Sequence, residues 1–340
     1  MSDFDLLVAG AGPAGAATAI RAALAGLSVV VVEPRSSPID KACGEGVAHS
    51  AVDYLTRLGV ELDGHPFHGI RYLDGVHQVD ARFTAGPGLG VRRTTLQAAL
   101  SARLKSLDIP VLQARVGAIT QNQTSVTAAG LTARYLAAAD GLHSPIRRQL
   151  DLSAPGGDEV RRGLRQHFQV APWTDLVEVY WSRLGEAYVT PVADDLVGVA
   201  VLTSARGSFD SHLDAFPALK RRLAGARPAS AVMGAGPLRQ RVRSRTAGRV
   251  LLVGDAAGYV DALTGEGIAV ALRTSAELVD CLRADRPQDY EAAWRRVSWE
   301  CRFLTASLLW ARNRKALAAR IVPAAAALPD VYATIVNRLS

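Results

Sequence analysis

Residues 5–20 read DLLVAGAGPAGAATAI: an apolar run that predicts a buried strand, a glycine-rich turn, and an alanine-rich helix from Pro13 to Leu27. A second apolar run, VVVVE, ends at Glu33, eighteen residues after Gly15, and completes one βαβ unit. Such units imply a buried parallel sheet. Gly10, Gly12 and Gly15 leave room for a tight turn, for close approach of a pyrophosphate, and for helix-on-strand packing. The helix N-terminus adds free N–H groups and the positive end of its dipole. A carboxylate at Glu33 accepts hydrogen bonds from a ribose and repels a 2′-phosphate, which selects the adenosine of FAD or NAD over that of NADP.

A second glycine cluster lies far downstream, in LLVGDAAGYVDALTGEGIAVAL at 251–272. Asp255 follows a strand and is placed to bond a polyol such as a ribitol chain. Gly265 and Gly267 flank the opening of a helix whose N–H groups can face a flavin ring, where its dipole would favour the anionic reduced form. Read without the first turn, the same stretch is one more strand-to-helix turn of the sheet.

Composition narrows the class. The chain has 340 residues with 49% hydrophobic and 21% charged, which suits a soluble two-domain protein and excludes disorder and coiled coils. Its net charge of +7 admits an anionic partner without naming one. Only four of the 39 basic residues are lysines, a bias that reads as base composition. Three cysteines without a CxxC, together with no basic leader and no long apolar run, predict a reduced, cytoplasmic chain.

Further along, TTLQAALSARLKSL predicts a helix capped by Thr94, and strands are expected at VLQARV, SVTAA and ARYLAAAD. From 163 to 203 longer strands with intervening turns predict an antiparallel sheet, which the hairpin turning at Asp74-Gly75 should join. The expected fold is therefore α/β: a discontinuous Rossmann-like FAD-binding domain (1–65, 90–157, 241–287) with an inserted antiparallel substrate domain (66–89, 158–240). A C-terminal helical segment (288–340) follows, broken up after residue 320 by Pro323 and Pro329.

The chain resembles flavoproteins of the aromatic hydroxylase and geranylgeranyl reductase superfamily, of the glutathione-reductase-like FAD type. GAGPAG with Glu33, AADGLHSPIRR at 138–148 and VGDAAGYVDALTGEGI carry the likeness across about 270 residues. The resemblance implies that the first motif holds the FAD adenosine, the second lies by the pyrophosphate and the third holds the ribitol and flavin. By the same resemblance Ala14, Glu33, Gly44, Gly46, Arg93, Val116, Asp140, Asp255, Gly267 and Ile268 line FAD. Asp140, Ser144 and Pro145 also suit a purely structural helix start. Arg92 competes with Arg93 for its role, and Cys43 in DKACGEGV is either a redox thiol or a packed small residue. Family members often carry a proline where this chain has Asp261-Ala262-Leu263.

Several weaker signals have bland readings that outweigh the sharp ones. HPFH at 65–68 contains a proline, so no metal site is expected. Arg239, Arg241, Arg243 and Arg245 should share one side of a strand, without the motifs of nucleic-acid binding. Trp299, Phe303, Ala306 and Trp310 share a helical face expected to pack on the protein or a twin subunit rather than on a membrane.

No second dinucleotide fingerprint follows the first, so NAD(P)H is expected only as a visiting reductant. The flavin carries the chemistry, and no catalytic side chain is expected. The tryptophan-rich signature of flavin halogenases is missing. The first expectation is a monooxygenase acting on a small hydrophobic aromatic, polyketide or isoprenoid metabolite, with Phe168, Tyr180, Trp181 and Tyr188 as substrate contacts. A geranylgeranyl-reductase-like ene-reductase comes second and an electron-transfer flavoprotein third.

Overall fold

The computed structural model describes residues 2–155 and 160–339. The opening strand, Phe4–Ala9, pairs in parallel with Val29–Val32 on one side and Leu131–Ala138 on the other. Val111–Leu112 and Val250–Leu252 extend the sheet outward, again in parallel. Leu6, Leu7, Val8, Val31, Leu136 and Leu251 are fully buried, as the strands of a parallel sheet covered on both faces are. Parallel strands end at one edge. The turns after Ala9, Val32, Ala138 and Leu252 therefore converge there, although Ala9 and Leu252 are 243 positions apart in the chain.

Local details differ from the expectations. The first helix stops at Leu24, and Gly26 at φ +83° carries the chain away. The helix expected to start after Thr94 begins one residue before it, as Arg93–Ser106 with Arg92 at the N-cap. The VLQARV strand shrinks to Val111–Leu112, an exposed edge, and SVTAA supplies Val126–Ala128 in a hairpin with Leu131–Ala138.

The second sheet runs Arg162–Gln169, Leu196–Thr203, Gly185–Ala193 and Val177–Trp181, all antiparallel neighbours. The hairpin Gly69–Leu73 and Gln78–Arg82 turns at Asp74-Gly75 and joins through a parallel pairing, Val177 opposite Ile70, so the sheet is mixed. Parallel pairing is possible because the chain passes through the first sheet between residues 82 and 162. His65–Phe67 and Gly88–Gly90, which straddle the expected boundaries at 65/66 and 89/90, pair beside Gly46–Val47 in a small third sheet. The expected boundary at 157/158 lies outside the described residues.

Strand alternation gives the second sheet two unlike faces. Phe168, Tyr180, Val189, Val197, Val199 and Val201 pack under the helices Phe209–Leu213 and Pro217–Arg222. The other face points at the C-terminal helices: Tyr290–Arg312, Lys315–Ala318, Ile321–Ala327 and Pro329–Leu339. Pro329 breaks this segment as expected: Ile321–Ala327 ends before it, Leu328 leaves the helical region, and the next helix opens on Pro329 at a bend of 100°. Pro323 instead falls in the first turn of Ile321–Ala327, where no N–H is needed.

The arginines from 239 to 245 share no strand. Gln240 and Val242 make only isolated bridges, Arg243 pairs with Asp151 at 2.7 Å, and Arg245 is buried over the Trp294 ring against Glu291. Trp299, Phe303 and Trp310 are 61%, 61% and 55% exposed, so their helix face does not pack on this chain.

Candidate FAD site and its neighbouring cavity

A cleft of about 390 Å³ opens at the strand-end edge. Two of its glycines are dictated by crowding. A Cβ on Gly10, at φ +108°, would lie 2.5 Å from the Ala139 carbonyl oxygen, and one on Gly15 would lie 1.9 Å from that of Gly10. Gly10 and Gly15 thus bring the first turn, its helix and the Ala139-Asp140 turn into direct contact. Gly12 and Ala14 line the cleft above them.

The third motif closes the cleft from the far side. Asp255 lies in a 3₁₀ turn after Val250–Leu252, and Gly265, Gly267 and Ile268 line the wall at the start of the helix Gly267–Arg283. Asp255 Oδ2 is 3.0 Å from Lys41 Nζ. Lys41 is a functional candidate that the motifs did not flag; its rarity in an arginine-rich chain was the one available signal.

Arg93, not Arg92, faces the cleft. It is buried, burial lowers its pKa, and its Nη1 has no hydrogen-bond partner. Asp140 lines the same cleft; one oxygen accepts from the Ile146 N–H at 3.0 Å, while buried Oδ1 has no partner. Both readings of Asp140, helix start and cleft wall, therefore coexist. Burial raises its carboxyl above the usual range, against hydrogen bonds from Ser144 and the backbone. A buried, unpaired guanidinium nitrogen costs several kcal/mol in order of magnitude unless a ligand oxygen meets it.

Glu33 sits at the end of its strand, but not in the cleft wall. It accepts from the Ala11 N–H at 3.0 Å and from the backbone and side chain of Arg35, whose Nε lies 2.8 Å away. Burial would raise its pKa, and these bonds together hold it below the ordinary value. Arg35 is more than half exposed. Val116 does not join the cleft: its predicted strand is only two residues long, and Val116 itself packs on the core of the first sheet.

The CGEG segment runs beneath the cleft, with Cys43 and Gly46 in its wall. Glu45, at φ +61°, is buried, takes a 2.7 Å bond from His167 and accepts the Arg93 backbone N–H at 2.9 Å. Arg165 reaches Asp40 at 2.5 Å. The charges of the second sheet thus hold the loop under the cleft, a role that no sequence motif announced. Cys43 lines the cleft, and burial pushes its thiol pKa up, so it stays protonated. Asp261, in place of the family's proline, is buried on Arg161 at 2.9 Å; Arg161 also meets Glu186 at 2.7 Å, and Arg312 from the C-terminal helices meets Glu186 as well.

Beside the cleft lies a second, apolar cavity of about 500 Å³, within the size range of small-molecule sites. Gly46, Ala200, Leu202, Ala262 and Gly265 border both spaces, while Gly44 lines the cavity alone. Its walls are the inner face of the second sheet, with Tyr72, Val179 and Tyr188, and the C-terminal helices, with Leu308, Ile321 and Tyr332. Of the expected substrate contacts, Tyr188 lines it, its hydroxyl donating to the Leu263 carbonyl at 2.7 Å. Trp181 stands behind it, edge-on to Tyr72 at 5.2 Å. Phe168 and Tyr180 do not reach it, because both have the opposite strand parity and face the outer helices.

Among the described residues, no group of three His, Cys, Asp or Glu side chains gathers as a metal site. His65 and His68 instead lie beside different aspartates, Asp194 and Asp175. The cleft's inventory is a helix N-terminus on each side, the cations Lys41 and Arg93, an unpaired Arg93 nitrogen and polyol acceptors. That set fits a pyrophosphate and a flavin.

Comparison with known proteins agrees. The family model described as FAD binding domain matches residues 3–190. The chain is 30% identical over 311 residues to a menaquinone reductase of Mycobacterium tuberculosis, covering 81% of this chain and 76% of that protein. It is 28% identical over 310 residues to digeranylgeranylglycerophospholipid reductase 2 of Methanosphaera stadtmanae, covering 81% and 76%. Among solved structures, the flavin-dependent halogenase CmlS superposes with a TM-score of 0.81 at 19% identity, over 92% of this chain and 64% of that one, which establishes a shared fold. The chain belongs to the FAD-binding-domain oxidoreductases related to the menaquinone and geranylgeranyl reductases.

Proposed function

We propose that this FAD-dependent oxidoreductase is a reductase that saturates a carbon–carbon double bond in a polyprenyl chain carried by a lipid or quinone. The carrying observation is the apolar cavity of about 500 Å³ that shares a wall with the FAD cleft. Relatives named for menaquinone and for digeranylgeranyl lipids act on molecules whose names imply such a chain. Oxygen insertion, the first expectation from sequence, gives way to this reading because those relatives are reductases.

FAD, held by Arg93, Lys41, Asp255 and the two helix N-termini, supplies hydride chemistry when bound. The chain's own residues do the rest. The inner face of the sheet and the C-terminal helices hold an extended apolar chain and exclude water. Two groups facing the cleft retain protons at neutral pH: the Cys43 thiol and the Tyr259 phenol, both pushed up chiefly by burial. Either can supply the proton that a carbon needs once its neighbour has gained a hydride. NAD(P)H is proposed as the diffusible reductant.

The test is anaerobic turnover with dithionite as reductant and geranylgeranyl diphosphate or a short-chain menaquinone as substrate, read by mass spectrometry. A product gaining two hydrogens supports the proposal. A product gaining one oxygen atom, formed only in air, would overturn it in favour of a monooxygenase.

A further inference from the structure

The cavity has a mouth, and the mouth has a surface around it. Leu328, Val331 and Ile335 line the cavity yet are 58%, 52% and 41% exposed, so they form its outer rim. Across from them, Ser307 is exposed and also lines the cavity, one helical turn after Phe303. Trp299, Phe303 and Trp310 continue the exposed apolar surface along the helix Tyr290–Arg312, with the Trp299 and Phe303 rings 6.1 Å apart.

Basic residues border this patch. From Trp299 to the last residue the chain carries six basic residues and two acidic ones; Arg312 is taken up by Glu186 and Arg338 faces Glu300, which leaves the cations around Trp310 to set the charge. Arg314, Lys315 and Arg320 are exposed, and the Arg314 guanidinium lies 3.8 Å above the Trp310 ring. Aromatic rings flanked by arginine and lysine, next to aliphatic side chains, match the boundary between acyl chains and anionic headgroups. A second copy of this chain fits less well. A two-fold contact would bring each basic border against its own copy.

Among the described residues no single helix is long and apolar enough to cross a membrane; the apolar pair Lys315–Ala327 and Pro329–Arg338 bends by 100°. A bent pair suits a surface lying on the bilayer. We infer that the face formed by Trp299, Phe303, Trp310 and the Leu328–Ile335 rim docks on an anionic lipid bilayer, and that the cavity receives its occupant directly from the membrane. The entry route rests on the function proposed above; the docking does not.

The experiment is co-sedimentation of the FAD-loaded full chain with phosphatidylcholine vesicles, with and without an equal share of phosphatidylglycerol. Binding is expected on the mixed vesicles and should weaken in high salt. The triple variant Trp299→Ser, Phe303→Ser, Trp310→Ser should lose affinity by about tenfold or more. Arg314→Glu with Lys315→Glu should lose a similar factor, on the anionic vesicles only. No sedimentation with either vesicle, or equal binding by wild type and both variants, overturns the inference. So does a dimer in light scattering that the triple variant dissolves while wild type ignores vesicles. Binding is read without turnover, so a protein that docks but leaves prenyl substrates untouched supports the docking while refuting the proposed reaction.

Discussion

Lys41 Nζ lies 3.0 Å from Asp255 Oδ2, joining the loop after the second strand of the first sheet to the turn after its last. Both side chains are partly exposed, at 37% and 29%, so the pair itself contributes little to stability. Its value is positional: it sets a cation and a polyol acceptor side by side across the cleft.

Asp255→Ala should therefore weaken FAD binding much more than folding. Losing a charged acceptor costs about 1.5 to 3 kcal/mol, or roughly ten- to hundredfold in affinity. Fluorescence titration of the apoprotein with FAD measures it. An unchanged dissociation constant would show that the third motif does not hold the cofactor.

Arg93→Met should separate stability from binding in the opposite sense. Without ligand, Arg93 is a buried cation whose Nη1 meets no acceptor. An apolar side chain of similar length removes that desolvation cost, of order 1 to 4 kcal/mol. The variant's apoprotein should melt higher than wild type, while its FAD affinity falls. A variant that melts lower in the absence of FAD would mean that Arg93 is a structural residue.

The sequence carried the fold through its glycines and apolar runs. Gly10, Gly15 and the strands ending at Ala9 and Leu252 were legible because backbone crowding and burial leave few residue choices there. The long-range charge pairs were not legible. Glu45 with His167, and Asp261 with Arg161, join residues 122 and 100 positions apart, and a single charged residue gives no sign of its partner. Strand parity misdirected the substrate contacts: Tyr180 and Trp181 are adjacent in sequence, and aromatic character alone could not say which faces the cavity. The cavity itself was out of reach, because its far wall comes from C-terminal helices whose apolar residues give no sign of the sheet face they meet.

Leu308→Trp should obstruct that cavity. Leu308 lines it from the helix Tyr290–Arg312, and an indole there fills space that a long substrate needs. KM for a polyprenyl substrate should rise by about tenfold or more, with FAD affinity unchanged. Tyr180→Phe is the matched control on the opposite face. It removes a 2.6 Å bond to Glu178 and should cost about 1 kcal/mol of stability without changing KM. If Leu308→Trp leaves KM unchanged, the cavity is not the substrate's site.

Glu266, between the two glycines of the third motif, gives a pH dependence with a definite sign. It is 7% exposed, borders the apolar cavity, and its ion-pair partner among the described residues is Arg273 at 3.5 Å. Burial pushes its pKa up to about 8, with Arg273 opposing. Below the ordinary carboxyl range, folded and unfolded chains both bind this proton, and stability does not depend on it. From there up to about pH 8 the unfolded chain has released the proton while the folded chain keeps it, so stability falls as pH rises. Above that the loss is complete, at roughly 5 kcal/mol for a shift of this size. Glu266→Gln keeps the shape and cannot ionise. Melting curves of the two proteins should lie close together near pH 4 and separate by several degrees at pH 9, with the variant higher. Every other titrating group is common to both, so parallel curves across this range would mean that Glu266 ionises in the folded chain as freely as in the unfolded one.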